Sequence, residues 1–409
     1  MDRTCQIVIG FLLAISFLWS VPANGQSRGY ELLPSPDIWY NDVDGIRLGL
    51  NLKGQVPGSF DDGPHRLDAG FWVGLWFPDN PVSYYVSLTE PIRPWSDFGS
   101  EANIQFLSSI RTGYQKHGIS LNKRWQTGFD ERRFYQVSLH QHYENRMDLE
   151  YTAFPALWTE DDKWIGGASF EVQRSNELGW YNVYTNIDSQ LLNDFYAVWT
   201  ATAIQNVSIN DIWGARIRLF SGIASSDTHP EYLFSRSTLP AINTLESGVS
   251  RAKGTIPDPW MQSGDFHLAG GANIRGYMSQ DVASFTSEEG ESVPYLQYSI
   301  ISANIEFDYW NPFQSLIKNS SMISDFLSLR SYLFFDAGQS LQFNDVDSDE
   351  LFSDAGTGIA LSFNIPNNFG KPRGFVLRYE LPLWLSHPEQ GDDEFSFRQI
   401  VGFGAVISF

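Results

Sequence analysis

Apolar and polar residues alternate with a period of two along most of this chain. Around Ile46, Leu48, Leu50 and Leu52 the interleaved positions are Arg47, Gly49, Asn51 and Lys53. Phe71, Val73, Leu75 and Phe77 are separated by Trp72, Gly74 and Trp76, and Ala215, Ile217 and Leu219 by Arg216 and Arg218. Successive side chains of a strand point to opposite faces, so the pattern demands strands with one apolar face. A soluble sandwich would bury that face in a core. A membrane barrel would turn it to lipid and the polar set to its lumen.

Three features favour the barrel. Arg3, the apolar stretch Ile7 to Val21 and the small residues Ala23-Asn24-Gly25 read as a secretory signal over residues 1–25, with the mature chain starting near Gln26. The chain carries 14 Trp, 18 Tyr and 30 Phe, and membrane barrels place such rings at both lipid–water interfaces. The last residue, Phe409, ends the alternating strand Val401, Phe403, Ala405, Ile407. The only cysteine, Cys5, lies in the signal, which excludes disulfides and thiolate metal sites from the mature chain. A net charge of -21 argues against nucleic acid as a partner.

Strands are predicted near 45–54, 65–77, 82–90, 103–113, 117–126, 133–143, 147–154, 164–173, 179–189, 196–208 and 214–225. Five more fall near 298–310, 327–339, 353–364, 374–385 and 399–409, giving an even total of 16, as a closed barrel requires. Residues 26–44 form a short periplasmic lead-in, and 45–409 the barrel. One connection, about 226–297, is far longer than ordinary loops, a length that marks function or disorder.

That connection contains Gly270-Gly271-Ala272-Asn273-Ile274-Arg275-Gly276-Tyr277. Downstream, alternation puts Ser302, Asn304 and Glu306 on one face of their strand, and Phe334, Asp336 and Gly338 on one face of the next. Charge in hydrocarbon is costly, so Glu306 and Asp336 are expected to point into the lumen. Two inward carboxylates require a cation or a proton. Arg275 suits them, being planar, always charged and able to bond both, if the glycines let the loop fold back inside.

These residues resemble the BamA-type superfamily, the bacterial surface antigen barrels that include TamA and the two-partner-secretion transporters. Arg275-Gly276-Tyr277 is similar to the family's loop-tip motif. Phe334-Phe335-Asp336-Ala337-Gly338 resembles the strand whose acid receives the loop arginine, and Glu306 the acid of the strand before it. Asp354-Ala355-Gly356-Thr357-Gly358 and Arg378-Tyr379-Glu380-Leu381-Pro382-Leu383 resemble its closing strands. The resemblance implies an all-β fold: a 16-stranded antiparallel transmembrane β-barrel in the bacterial outer membrane with a long, inward-folded extracellular loop six. It also implies Phe409 as a C-terminal sorting signal. Family members that insert or secrete proteins carry periplasmic POTRA domains, for which residues 26–44 leave no room, so a separate periplasmic or outer-membrane protein partner is implied.

Three functions stay open. In the first, the barrel parts between its first and last strands, at Leu48, Leu50, Gly402, Phe403 and Gly404, and assists assembly or translocation of an unfolded or membrane-inserting client among outer-membrane lipid and lipopolysaccharide. The second is a passive solute pore tuned by Arg47, Lys53, Arg216, Arg218, Arg378 and Glu380. The third is a membrane scaffold for a separately encoded enzyme. An Arg275–Asp336 pair that only locks the structure fits all three. His140 and His142 share a strand face without an evident third ligand, and no Gly-x-Ser-x-Gly or His-Glu-x-x-His occurs. No metal, cofactor or catalytic residue is expected.

Overall fold

The computed structural model describes residues 30–407 except 56–64, 127–129, 131–132, 193, 211–212, 248–251, 286–294, 319, 321–323, 325, 342–349 and 366–372. The expected signal, 1–25, and Phe409 lie outside the described residues.

The strands are β1 (Glu31–Asn41), β2 (Gly45–Gln55), β3 (Arg66–Gly74), β4 (Val82–Pro91), β5 (Ser100–Arg111), β6 (Tyr114–Gln126), β7 (Phe134–Arg146), β8 (Lys163–Asn176), β9 (Gly179–Gln190), β10 (Ala197–Ser208), β11 (Gly214–Ala224), β12 (Phe266–His267), β13 (Ser299–Asp308), β14 (Leu327–Ser340), β15 (Leu351–Ile365), β16 (Arg373–Leu385) and β17 (Ile400–Ile407). All belong to one sheet of 17 strands. Each long strand pairs antiparallel with the next, β11 reaching β13 across the long connection. The two-residue β12 lies inside that connection and runs parallel to β17. Among the described residues no register joins β1 to β17.

Alternation decides which way each strand faces. On β14, Leu333 and Phe335 are 53% and 43% exposed, whereas Phe334 and Asp336 are 4% and 0% exposed. On β13, Ile301, Ile305 and Phe307 are exposed, while Ser302, Asn304 and Glu306 are buried. Leu48 and Leu50 on β2, Leu139 on β7, Leu219 on β11 and Leu377 on β16 continue the exposed apolar face around the sheet. The core lies on the other face. There Ile165, Val198, Phe220, Ile300, Leu385 and Ile400 of the strands pack against Phe234, Ile242, Leu268, Ile274, Tyr277 and Val282 of the long connection. The same connection meets the first hairpin, where the Asp42 N–H donates to the Lys253 carbonyl at 2.9 Å, and pairs with the last strand. Strands from both ends of the sheet therefore surround one internal plug.

Three expectations are corrected. Residues placed in a periplasmic lead-in, 26–44, instead supply β1, which extends the sheet back to Glu31. Pro34 and Pro36 interrupt the alternation there, and a strand holding two prolines is tolerated where the missing N–H groups face an edge. The strand expected near 147–154 is absent: one 3-10 turn, Leu149–Tyr151, lies within that stretch and a second, Pro155–Leu157, follows it. Asp148 starts the first by accepting from the Glu150 N–H at 2.8 Å, and Pro155 starts the second. The missed and the spurious strand cancel, so the long connection still follows an eleventh strand. Third, Leu48 and Leu50 are not on an edge, because β2 is paired with β1 on one side and β3 on the other.

Candidate functional site

The connection between β11 and β13 folds back along the inner wall. Its Gly271 and Asn273 take positive φ angles of 54° and 57°, and the Gly270 N–H donates to Asn273 Oδ1 at 3.2 Å, which turns the chain before Ile274. A 3-10 turn, Arg275–Tyr277, then presents its side chains to the wall, and the helix Met278–Phe285 follows.

Arg275 is 1% exposed and is held by three carboxylates from three strands. Its Nε donates to Asp336 Oδ2 at 2.6 Å and one terminal nitrogen to Asp336 Oδ1 at 3.2 Å. The other terminal nitrogen donates to Glu306 Oε1 at 3.2 Å and to Glu380 Oε1. The guanidinium also stacks 4.3 Å from the centre of the Phe334 ring. Burial opposes the charge, but Asp336, Glu380 and Glu306 together raise the Arg275 pKa well above its ordinary value.

The acids are themselves positioned. Asn304 donates to Asp336 Oδ1 at 3.0 Å and to the Asn273 carbonyl at 2.8 Å, tying wall and connection together. Tyr332 donates to Glu380 Oε1 at 2.5 Å. Arg330 bonds Glu306 Oε2 and Asp308 Oδ1, both at 2.6 Å. Arg218 reaches the Gly271 carbonyl at 2.6 Å. The Gly276 N–H donates to Asp354 Oδ2 at 2.7 Å, and a Cβ at Gly276 would meet Leu385 Cδ2 at 2.4 Å. A side chain there would have to displace Leu385 and press on Asp354 Cβ at 2.9 Å, so glycine favours that approach. Tyr277 Oη donates to the Ser353 carbonyl at 3.2 Å.

Two further anchors fix the rest of the connection. Arg236 donates twice to Asp281 Oδ1, at 3.0 and 2.9 Å, while the N–H and hydroxyl of Ser237 donate to its Oδ2 at 2.8 and 2.6 Å. On the opposite wall Lys163 of β8 pairs with Glu231 at 2.6 Å, and Tyr232 donates to Glu144 of β7. A buried network in which each charge has a partner holds one geometry strongly, and loses it once a member is removed.

Alternation and the resemblance brought Gly270, Gly271, Arg275, Gly276, Tyr277, Glu306 and Asp336 forward, and the structure places them together. Glu380 had been placed inward only as a lumen charge; it is the third acid on Arg275. Asp354, in register with Asp336, and the Arg236–Asp281 staple were missed. Gly402, Phe403 and Gly404 lie on β17, and among the described residues no register joins that strand to β2, which carries Leu48 and Leu50. His140 and His142 each meet a carboxylate, Asp188 at 2.7 Å and Glu144 at 2.9 Å. Among the described residues no group of three or more His, Cys, Asp or Glu is arranged to hold a metal.

Strand pairing and burial thus define a curled antiparallel sheet, apolar outside, whose inner face packs on the long connection through an apolar core and a buried charge network. No family model and no curated protein matches the chain. Among solved structures the chain is similar to BamA from Haemophilus ducreyi lacking POTRA domains 1-3, at 12% identity and a TM-score of 0.47, covering 93% of this chain and 71% of that one. It is similar to CdiB from Acinetobacter baumannii at 11% identity and a TM-score of 0.38, covering 93% of this chain and 60% of that one. A bacterial polysaccharide outer membrane secretin gives 11% identity and a TM-score of 0.38, over 93% of this chain and 99% of that one.

Proposed function

We propose that this chain is an outer-membrane β-barrel that assists the assembly or passage of polypeptides by parting between β1 and β17. The exposed apolar face supports a lipid neighbour, and strands of 8 to 15 residues suit a tilted span of the hydrocarbon layer. In this reading the long connection is a lid, extracellular loop six of a barrel of sixteen spanning strands. Lipopolysaccharide, an unfolded client and a separate periplasmic partner complete the expected surroundings, and no enzymatic step is required.

One observation carries the reading: both strands at the seam are poor at closing it. Pro34 and Pro36 are two residues apart, so both lack the N–H on the same edge of β1. The β1–β2 register is unbroken from Glu31–Gln55 to Asn41–Gly45, which puts the missing donors on the edge away from β2. On β17, Gly402 and Gly404 remove side-chain packing. An edge that cannot pair fully invites β-augmentation by another strand. The test places a cysteine at Pro36 and scans a second along Phe403–Ile407. Oxidation is expected to abolish assisted insertion of an unfolded barrel protein into liposomes. Full activity in the crosslinked chain overturns the reading.

A solute pore is the second reading. It is favoured by an open cavity of about 580 Å³ against β2–β6, lined by Lys53, Asp68, Tyr85, Arg111 and Lys116 among others. Bilayer recordings separate the two: steady large openings with the lid in place support the pore.

A further inference from the structure

We infer that Phe266–His267 is a built-in placeholder strand, occupying the edge of β17 that an extended client segment would take. The inference deepens the proposed seam function and rests on it.

A strand has two edges for hydrogen bonding, and β16 occupies one edge of β17 along its whole length, from Arg373–Ile407 to Glu380–Ile400. β12 therefore pairs on the other edge, the one that faces β1 in a closed cylinder. The Val401 N–H donates to the Asp265 carbonyl at 2.6 Å, and the register runs Phe266 with Val401 and His267 with Gly402. The pairing is parallel, whereas β1 would meet β17 antiparallel. The lid thus takes one end of the seam with a strand that cannot continue the sheet. Parallel pairing is slightly weaker per residue than antiparallel pairing, and only two residues hold it. An antiparallel client strand would outbid it along the full edge.

The placeholder is also connected to the Arg275 cluster. The His267 Nε2–H donates to the Ser237 carbonyl at 2.7 Å, in the segment stapled to Asp281. Its Nδ1 faces Glu380 Oε2 at 4.0 Å, and among the described residues neither atom has a hydrogen-bond partner. The other oxygen of Glu380 holds Arg275. A strand that displaces Phe266–His267 therefore breaks the His267–Ser237 bond and uncovers Glu380, one of the acids on Arg275. The client chemistry follows from the edge: an extended segment with apolar side chains outward, beside Val401 and Phe403. Its inward residue beside Gly402 must be small, because a Cβ on Gly402 itself would already lie 3.3 Å from Arg378 Cβ.

The test uses the full chain in detergent micelles. His267→Pro removes the N–H of the second of the two paired residues, and amide exchange at Val401 is expected to accelerate by about tenfold or more. Unchanged exchange overturns the inference and leaves the seam reading standing. Because that variant risks misfolding, Phe266→Cys with Val401→Cys provides a second arm that keeps the strand in place. A photoreactive peptide copying residues 400–409 of this chain is the probe. Capture by the reduced form that drops about tenfold on oxidation supports the placeholder. Equal capture by both forms overturns it. Accelerated exchange at Val401 with no capture in either form overturns the placeholder and client strand addition together.

Discussion

Arg275 and Asp336 are 61 positions apart, and the guanidinium of one meets the carboxylate of the other through two hydrogen bonds, at 2.6 and 3.2 Å. The pair is surrounded by Glu306 and Glu380, so the cation serves more than one acid. Arg275→Ala would leave three buried carboxylates without their shared partner. Loss of one side of a buried ion pair costs about 3–5 kcal/mol. The expected outcome is an undocked lid in an otherwise intact sheet, read as rapid proteolysis within residues 226–297. Arg275→Lys is expected to rescue little, since an ammonium cannot reproduce the forked geometry.

A pH dependence follows from His267. Burial lowers its pKa from 6.5 to about 4, although Glu380 and the Ser237 carbonyl pull the other way. An undocked His267 takes up a proton near 6.5, while the docked one stays neutral to about 4. Docking is therefore at full strength above pH 6.5 and weakens as pH falls through that window to about 4. The full effect is on the order of 3 kcal/mol. Between about pH 6.5 and 5 undocked carboxylates stay ionised, so the slope there belongs to the histidines of the connection, His267 and His229, whose pKa burial also lowers. His267→Gln, which keeps a donor for Ser237, is expected to flatten the dependence of lid proteolysis on pH there. A slope equal to that of the parent chain would assign it to another group.

How much of this was legible in the sequence depends on local pattern. Alternation showed that Glu306 and Asp336 share the inner face, because a strand face is set by parity alone. It also put Glu380 inside, but parity says nothing about which inward charges converge across the lumen. β1 was hidden because Pro34 and Pro36 occupy positions where the pattern would show apolar side chains. The stretch 147–154 misled in the opposite way: Leu149, Tyr151 and Ala153 alternate, yet Asp148 and Pro155 favour turns. The pairing of Phe266–His267 with β17 spans 135 positions between Phe266 and Val401 and leaves no periodic trace.

Lid seating also depends on a missing side chain at Gly222 of β11. A Cβ there would come within 2.6 Å of the Phe234 ring, which is 1% exposed. Gly222→Ala is expected to push Phe234 out of its place and weaken docking by about 1–3 kcal/mol, the usual cost of overpacking. The effect should appear as faster proteolysis of the lid at neutral pH, with no change in its dependence on pH. Gly222→Ala that leaves the proteolysis rate unchanged would mean the ring is free to shift.

The prolines of β1 give the most direct test of the seam. Pro34→Val together with Pro36→Val supplies two N–H donors on the edge of β1 away from β2, the edge that meets β17 in the proposed barrel, using residues suited to strands. Each new hydrogen bond contributes about 1 kcal/mol. The doubly substituted chain is therefore expected to resist urea unfolding better than the parent. It is also expected to insert client protein more slowly, because a client strand must now compete with β1 for the same edge. The two readouts must move in opposite directions. A scaffold would gain stability with no activity to lose, and a pore would keep its conductance. Added stability with undiminished insertion would show that clients enter without parting β1 from β17.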